Sequence, residues 1–165
     1  MILRSFILAA SVAGALGAAQ FPAFSQQYLQ RLGGAVDALE QVILDFDASA
    51  ASLGLSRDEA LAQMTGSAFV QARRADMQQA FLRYEGLRAD LDILEGQGPF
   101  MRAYHFAHLT DAEIAQGAWA AFKPALPLSF DSVVFAGFGG IAGCISAVLV
   151  AGLLGSRRRI KSLSA

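Results

Sequence analysis

Residues 132–156, SVVFAGFGGIAGCISAVLVAGLLGS, form a run of 25 residues without a single charge. An α-helix rises about 1.5 Å per residue and the hydrocarbon core of a bilayer is about 30 Å thick, so about 20 apolar residues are enough to span it. The run therefore predicts a C-terminal transmembrane helix over residues 131–156. A short basic tail, residues 157–165, follows it.

A second charge-free segment lies between Arg4 and Arg31. Residues 1–24 are predicted as an N-terminal transmembrane helix that Pro22 breaks or kinks. The same stretch also fits a cleaved secretory signal over residues 1–19, because it has a positive start, an apolar centre and small residues at its end. The apolar run continues beyond that cleavage site, which favours an uncleaved anchor. Both alternatives stay open from the sequence.

The overall composition favours a membrane protein and excludes several classes. Hydrophobic residues make up 55% of the chain and charged residues 16%, with a mean hydropathy of +0.42, whereas soluble domains average about 25% charged residues. So apolar a chain is not disordered. One cysteine, Cys144, cannot make a disulfide scaffold. The balance of 13 basic and 14 acidic residues gives no indication of a nucleic-acid partner.

The charge distribution predicts how the chain lies across the membrane. Four basic residues in the tail place the C-terminus in the cytoplasm by the positive-inside rule, and Arg4 places the N-terminus on the same side. Residues 25–131 hold eight basic and 14 acidic residues, a net charge of −6. We expect a two-pass protein of the bacterial inner (cytoplasmic) membrane with both termini cytoplasmic and residues 25–130 periplasmic. The lipid bilayer is its first expected partner, and the tail suits anionic headgroups.

The region between the spans is helical by its periodicity. Two apolar seams step by three and four positions, the coiled-coil-like spacing of helices that pack along their length. The first contains Leu29, Leu32, Val36, Leu39, Ile43 and Phe46, with Leu53 in register; the second contains Met77, Ala80, Tyr84, Leu87, Leu91 and Leu94, widened by Phe81 and Leu82. The predicted fold class is all-α, with two transmembrane helices that flank an extramembrane antiparallel helical hairpin or bundle.

Shorter helices are expected at the ends of this hairpin. Ser56 with Glu59 has the S-x-x-E spacing of a capping box, which starts a short helix. Thr110 with Glu113 predicts a second capping box, at the start of a helix that runs to about Lys123.

A stripe of small residues gives the clearest packing signal. Gly139, Gly143 and Ala147 stand at every fourth position of the C-terminal span, which lets helix backbones approach closely in lipid. The stripe indicates either packing of the two spans on each other or association with another membrane protein or a second copy. Outside the spans, His105, Phe106 and Trp119 are predicted contact residues on an aromatic surface near the membrane.

Signals for chemistry are weak. His105 and His108 could share a helix face and bind a divalent metal, but no cysteine and no second histidine pair completes such a site. No serine stands in a G-x-S-x-G nucleophile elbow. We therefore predict no metal, no other cofactor and no enzymatic activity.

Two motifs give the chain a resemblance to a known family: Gln20-x-Pro22-x-Phe24 with Tyr28 and Arg31, and Gly117-x-Trp119-x-x-Phe122. With the spans at both ends, the chain resembles, over nearly its whole length, a proteobacterial membrane family catalogued as domain of unknown function two-nine-three-seven. The resemblance implies a two-span inner-membrane protein of about this length. It assigns no activity and no functional residues.

The sequence favours a non-catalytic accessory, scaffold or assembly component of a membrane complex. The alternative is a periplasmic ligand-sensing helical bundle that acts through a partner, because two spans around a helical domain resemble the outer half of a chemoreceptor. A buried polar pocket in the bundle would favour the sensor, and a tightly packed apolar core would not.

Overall fold

The structure, a computed structural model, describes residues 2–124 and 129–163, and the side chains of 3–124 and 129–153. In these ranges the chain is helical and contains no strand, which confirms the all-α fold class. The elements are α1 (Ile2–Ala19), α2 (Phe21–Ser52), α3 (Arg57–Gln63), α4 (Ala68–Leu94), α5 (Pro99–Tyr104), a 3-10 turn (Phe106–His108), α6 (Ala112–Ala121) and α7 (Phe130–Leu163).

The chain divides into two compact units. The membrane unit combines the residues up to Gln26 with those from Ala121 onward, and the helical domain comprises Gln27–Ala120. In the membrane unit, α7 continues to Leu163 and so includes most of the predicted basic tail; residues 164 and 165 lie outside the described part.

The membrane unit is built on α1 and α7. The helical run that starts at Leu3 and the segment Phe130–Leu153 of α7 are each long and apolar enough to cross a membrane. Only 6% of each apolar window is buried within the protein. A core helix of a soluble protein would be mostly buried, whereas a lipid-facing helix exposes its apolar side chains. The arrangement therefore fits the two-span membrane protein that the sequence predicts.

The break between α1 and α2 is a single residue, Gln20. Its N–H donates to the Gly17 carbonyl (3.2 Å), and its own carbonyl accepts from the Phe24 N–H (2.9 Å). Pro22 lies in the first turn of α2, where a missing N–H costs no helical hydrogen bond. The helix break predicted at Pro22 is therefore a single residue, Gln20, which lies two positions before the proline.

The core of the helical domain follows both predicted seams. Its buried members include Leu32, Val36 and Ile43 on α2 and Leu87, Leu91 and Leu94 on α4. Ile43 packs with Leu61 of α3 and Phe81 of α4, and the Phe46 ring meets Phe81 edge-on with centroids 5.6 Å apart. Two seam predictions were wrong. Leu53 is 74% exposed because α2 ends one residue before it, and Leu82 is 70% exposed because it points away from the face that holds Phe81.

The predicted start of α3 is confirmed. The Ser56 hydroxyl accepts from the Glu59 N–H (3.3 Å), and the Glu59 carboxylate accepts from the Ser56 N–H (2.8 Å), the two bonds of a capping box. On either side of α3, Gly54 and Gly66 have φ of +71° and +109°. Glycine adopts this left-handed region without strain, so both turns need it.

The predicted capping box at Thr110 was wrong. Asp111 caps α6 instead, since its Oδ1 accepts from the Ile114 N–H (2.9 Å), while the Thr110 hydroxyl donates to the Ala107 carbonyl (2.9 Å). Glu113 does not fold back, because its carboxylate accepts from Arg83 of α4 (2.7 Å). An aspartate is at least as good an N-cap as a threonine, so the cap shifts by one residue.

Candidate functional site: a polar junction of three helices

A polar junction joins α2, α4 and α6 inside the helical domain. The hydroxyl of Tyr28, which is fully buried, accepts from the Asp111 N–H at 3.2 Å. The Asp111 Oδ2 accepts from Arg83 Nη1 at 3.2 Å, while its Oδ1 caps α6. Arg83 Nη2 donates to Glu113 at 2.7 Å. One aspartate thus connects all three helices.

Local sequence explains why these residues meet. Tyr28 stands four residues before Leu32 on the buried face of α2, so its ring extends the apolar seam and its hydroxyl reaches the seam's end. Asp111 stands at the N-terminus of α6, where a carboxylate is stabilised by free N–H groups and the helix dipole. Arg83 can then bridge from α4 because it carries two parallel donors.

The electrostatics of the junction favour a neutral Tyr28. Burial is the largest influence and raises the pKa of the Tyr28 hydroxyl, and the charges of Asp111 and Asp90 raise it further. The hydrogen bond from the Asp111 backbone and the charge of Arg83 oppose that increase. A phenol with a raised pKa is a fixed hydrogen-bonding group rather than a base or a nucleophile at neutral pH.

The two histidines lie beside this junction. His108 Nδ1 is 2.7 Å from Asp90 Oδ1, so it connects the 3-10 turn to α4. The centroid of the His105 ring lies 6.2 Å from that of the His108 ring and 5.1 Å from that of the Tyr104 ring. Among the described residues, no group of three or more His, Cys, Asp or Glu is placed to hold a metal ion. The contact of His108 is thus a bridge between two elements of the domain.

The two sequence motifs of the resemblance come together in space. In the helical domain the Arg31 guanidinium lies directly on Gly117, where a Cβ would collide with it. In the membrane unit the rings of Phe24 and Phe122 meet edge-on, with centroids 6.0 Å apart. The motif residues are therefore packing partners across α2 and the α6 region. Their spacing in the sequence gave no sign of this pairing.

A cleft of about 340 Å³ opens beside the Arg31 contact. Its lining contains Arg31, Gly34, Ala35, Glu113 and Ile114. A second cleft of about 250 Å³, at the other end of the domain, is lined mostly by apolar residues of α2 and α3, including Phe46 and Met64. The first cleft places charged groups against a small-residue wall, so it is the polar one of this pair.

The small-residue stripe of α7 faces α1. A Cβ at Gly139 would collide with the Gly14 carbonyl, and one at Gly143 with the Ala10 carbonyl, while Ala147 is buried. These residues hold the two apolar helices of the chain backbone to backbone.

In the helical domain, the predicted contact residues Phe106 and Trp119 are 60% and 69% exposed, and His105 is half-buried.

Sequence reasoning missed Arg83 and Asp111, the centre of the junction. Asp111 had one usable signal, since an aspartate directly before an apolar-periodic helix is itself a preferred N-cap. No signal in the sequence marked Arg83, because a single arginine on an amphipathic helix usually lies in solvent.

Comparison with protein families matches residues 2–160 to the family described as "Protein of unknown function (DUF2937)". The chain belongs to this family. The match covers both apolar helices and the helical domain, and it confirms the resemblance based on the two motifs. Comparison with curated proteins and with solved structures gives no match. The family description names no activity.

Proposed function

We propose that this protein is a non-catalytic accessory, scaffold or assembly component of a membrane complex. The observation that carries the proposal is the junction at Asp111: its polar groups bond one another across three helices. The Asp111 carboxylate caps α6 and pairs with Arg83, and the Asp111 N–H donates to the buried Tyr28 hydroxyl. Such a network gives a rigid domain with a defined surface, which is what a docking component needs.

The proposed setting is the bacterial inner membrane, with both termini in the cytoplasm and residues 25–130 in the periplasm. The uneven charge distribution supports this orientation, with four basic residues in the tail and a net charge of −6 over residues 25–131. The proposed partner is another membrane protein or a second copy of the chain. Trp119 is its candidate anchor, because it is 69% exposed and tryptophan is enriched at interface hot spots.

Native mass spectrometry of the protein purified from its own membranes in mild detergent tests the proposal. We expect foreign subunits, or a second copy, in fixed stoichiometry, and their loss in Trp119→Ala. Phe69→Ala is the matched control, since Phe69 is an equally exposed aromatic (74%) on α4. A bare monomer in the wild type, at all detergent concentrations that keep the helices folded, would contradict the proposal.

The alternative is a ligand-sensing bundle, and the cleft beside Arg31 favours it. Its volume of about 340 Å³ falls at the lower end of the range for small-molecule sites, and it carries one cationic and one anionic side chain. A small molecule retained in the same mass spectrum, and lost in Arg31→Ala, would support the sensor. Retention unchanged in Arg31→Ala would exclude this cleft as the sensing site.

A further inference from the structure

The guanidinium of Arg31, on α2, lies flat against α6. Its Nε, Cζ and Nη2 atoms all crowd the position where a Cβ on Gly117 would stand, so the plane of the group faces the glycine. The N–H donors of a guanidinium lie in that plane. They therefore run along the surface of α6, and the contact with Gly117 positions the group without using its donors.

The charge of Arg31 is not matched by a carboxylate of the domain. Four other arginines of the domain form ion pairs with aspartate or glutamate: Arg57, Arg73, Arg83 and Arg88. Among the described residues, Arg31 has neither an ion pair nor a hydrogen bond. A planar guanidinium can hold a carboxylate through two parallel hydrogen bonds. Arg31 is thus a positioned cation whose donors are available to a ligand.

The cleft beside Arg31 has room for a small molecule. Its volume is about 340 Å³, at the lower end of the range for small-molecule sites. Gly34 and Ala35 leave this space on the α2 side, and a Cβ at Gly34 would meet open space. Ile114, which is only 3% exposed, gives the α6 side an apolar surface. The cleft therefore suits a molecule with a charged end and a short apolar part.

Glu113 restricts which anion can enter the cleft. Its carboxylate, which accepts from Arg83 and is 80% exposed, also lines the cleft. A negative charge there disfavours a doubly charged anion such as phosphate, and the net charge of −6 over residues 25–131 adds to that effect. A ligand with an ammonium group next to its carboxylate would instead offer Glu113 an opposite charge while its carboxylate pairs with Arg31.

We propose that the cleft between α2 and α6 binds a free α-amino acid in its zwitterionic form. The carboxylate of the ligand pairs with Arg31, its ammonium group faces Glu113, and a small apolar side chain contacts Ile114. This inference rests on the alternative function, the ligand-sensing bundle, and gives that function a ligand class.

Saturation-transfer difference NMR tests the ligand class on the whole chain in phosphatidylcholine nanodiscs. Valine is the probe with both charged groups, isovalerate is its counterpart without the ammonium, and isobutylamine is its counterpart without the carboxylate. Empty nanodiscs give the background for each probe. We expect the valine signal to exceed the isovalerate signal several-fold, and isobutylamine to give no signal above background.

Variants assign the two charged groups of the ligand to the two side chains. Arg31→Lys keeps the positive charge but loses the planar pair of donors, so the valine signal should fall several-fold. Glu113→Gln should lower the valine signal to that of isovalerate and leave the isovalerate signal unchanged. Arg88→Lys is the matched control and should change neither, because Arg88 pairs with Asp92 on α4 and does not line the cleft.

Three results would overturn the proposal. No valine signal above background in the wild type would show that the cleft does not take a free amino acid. A valine signal unchanged in Arg31→Lys would show that valine binds elsewhere. If that variant loses helical circular dichroism, an unchanged valine signal in Glu113→Gln overturns the proposal in the same way. Equal signals from valine and isobutylamine would show that the carboxylate is not recognised.

The outcome also separates this ligand class from the sensing function itself. A different small molecule retained in the native mass spectrum, together with no valine signal, would leave the sensing function standing and overturn only the amino-acid ligand. No retained molecule and no valine signal would count against both.

Discussion

The Arg31 guanidinium lies against the backbone of Gly117, so closely that a Cβ at position 117 would collide with it. The colliding atoms belong to the far end of a flexible side chain, which can move. A helix-interior glycine also costs about 1 kcal/mol relative to alanine. A Gly117→Ala substitution would therefore gain helix propensity but would also displace the Arg31 side chain.

These effects predict a coupling between the two residues. In an Arg31→Ala background, Gly117→Ala should stabilise the domain by about 1 kcal/mol, because the helix gain remains and the collision is gone. In the wild type the gain should be smaller, since Arg31 must leave its place. Chemical unfolding of the four proteins of this double-mutant cycle measures the difference. An identical effect of Gly117→Ala in both backgrounds would show that the contact has no energetic weight.

At Gly139 we expect the glycine-to-alanine substitution to destabilise the protein instead. A Cβ there would meet the Gly14 carbonyl, which is backbone and cannot swing away. We expect Gly139→Ala to weaken the α1–α7 pair by about 1–3 kcal/mol, the usual range for overpacking. Gly137→Ala is the control on the same helix, because its Cβ would meet nothing within 4 Å. Resistance of the helix pair to SDS is the measurement, and equal resistance of the two variants would contradict the close contact.

Two substitutions at Asp111 distinguish the contribution of its helix cap from that of its ion pair with Arg83. Asp111→Ala removes both the cap on α6 and the charge that Arg83 contacts, so it should cost about 1–2 kcal/mol in unfolding free energy. Asp111→Asn keeps a capping oxygen and loses only the charge, and a partly exposed ion pair contributes about 1 kcal/mol or less. We therefore expect Asn to retain most of the stability in urea unfolding. A loss as large as that of Ala would mean that the ion pair with Arg83 dominates.

Tyr28 predicts a loss of stability at alkaline pH. Its folded pKa is raised, mainly by burial, above the ordinary value of 10.0. A raised folded pKa means that the stabilisation is complete below 10.0 and falls as pH rises towards the folded pKa, since only the unfolded state then ionises. Unfolding midpoints measured from pH about 8 to about 11 should fall more steeply in the wild type than in Tyr28→Phe. Parallel curves would show that Tyr28 ionises equally in both states.

The proposed orientation can be read from cysteine labelling. In a Cys144→Ser background, Leu53→Cys places a thiol at a 74% exposed position of the helical domain. A membrane-impermeant maleimide added to spheroplasts should label it, whereas Ser162→Cys in the basic tail should react only after the membrane is opened. The reverse pattern would invert the topology. Labelling of both sites before opening would show that the helical domain and the basic tail do not lie on opposite sides of the membrane.

The seams and the spans could be predicted because each depends on a repeated local pattern. Leu32, Val36 and Ile43 repeat at helical spacing, and the charge-free run of α7 exceeds the thickness of a bilayer. The sequence could not decide between neighbouring residues that are both suited to cap the same helix. Thr110 and Asp111 were both acceptable caps, and the decision depended on Arg83, which is 30 residues from Glu113 in sequence but contacts it.

The same limit applies to the small residues of α1. Two stripes of that helix are equivalent in the sequence, one with Ala10, Gly14 and Ala18 and the other with Ala9, Ala13 and Gly17. The structure brings the first against α7, while Gly17 meets open space. Which of two equivalent faces is used depends on the partner helix. A single helix carries no information about it.

The packing of the membrane unit, with glycine and alanine inside and large apolar side chains outside, has a thermal consequence. Separating α1 from α7 within lipid would transfer almost no apolar surface into water, so its heat-capacity change should be close to zero. Unfolding the helical domain exposes Leu32, Leu94 and their neighbours to water and must carry a positive heat-capacity change. The stability of the domain should therefore curve with temperature and pass through a maximum, whereas that of the helix pair should vary almost linearly.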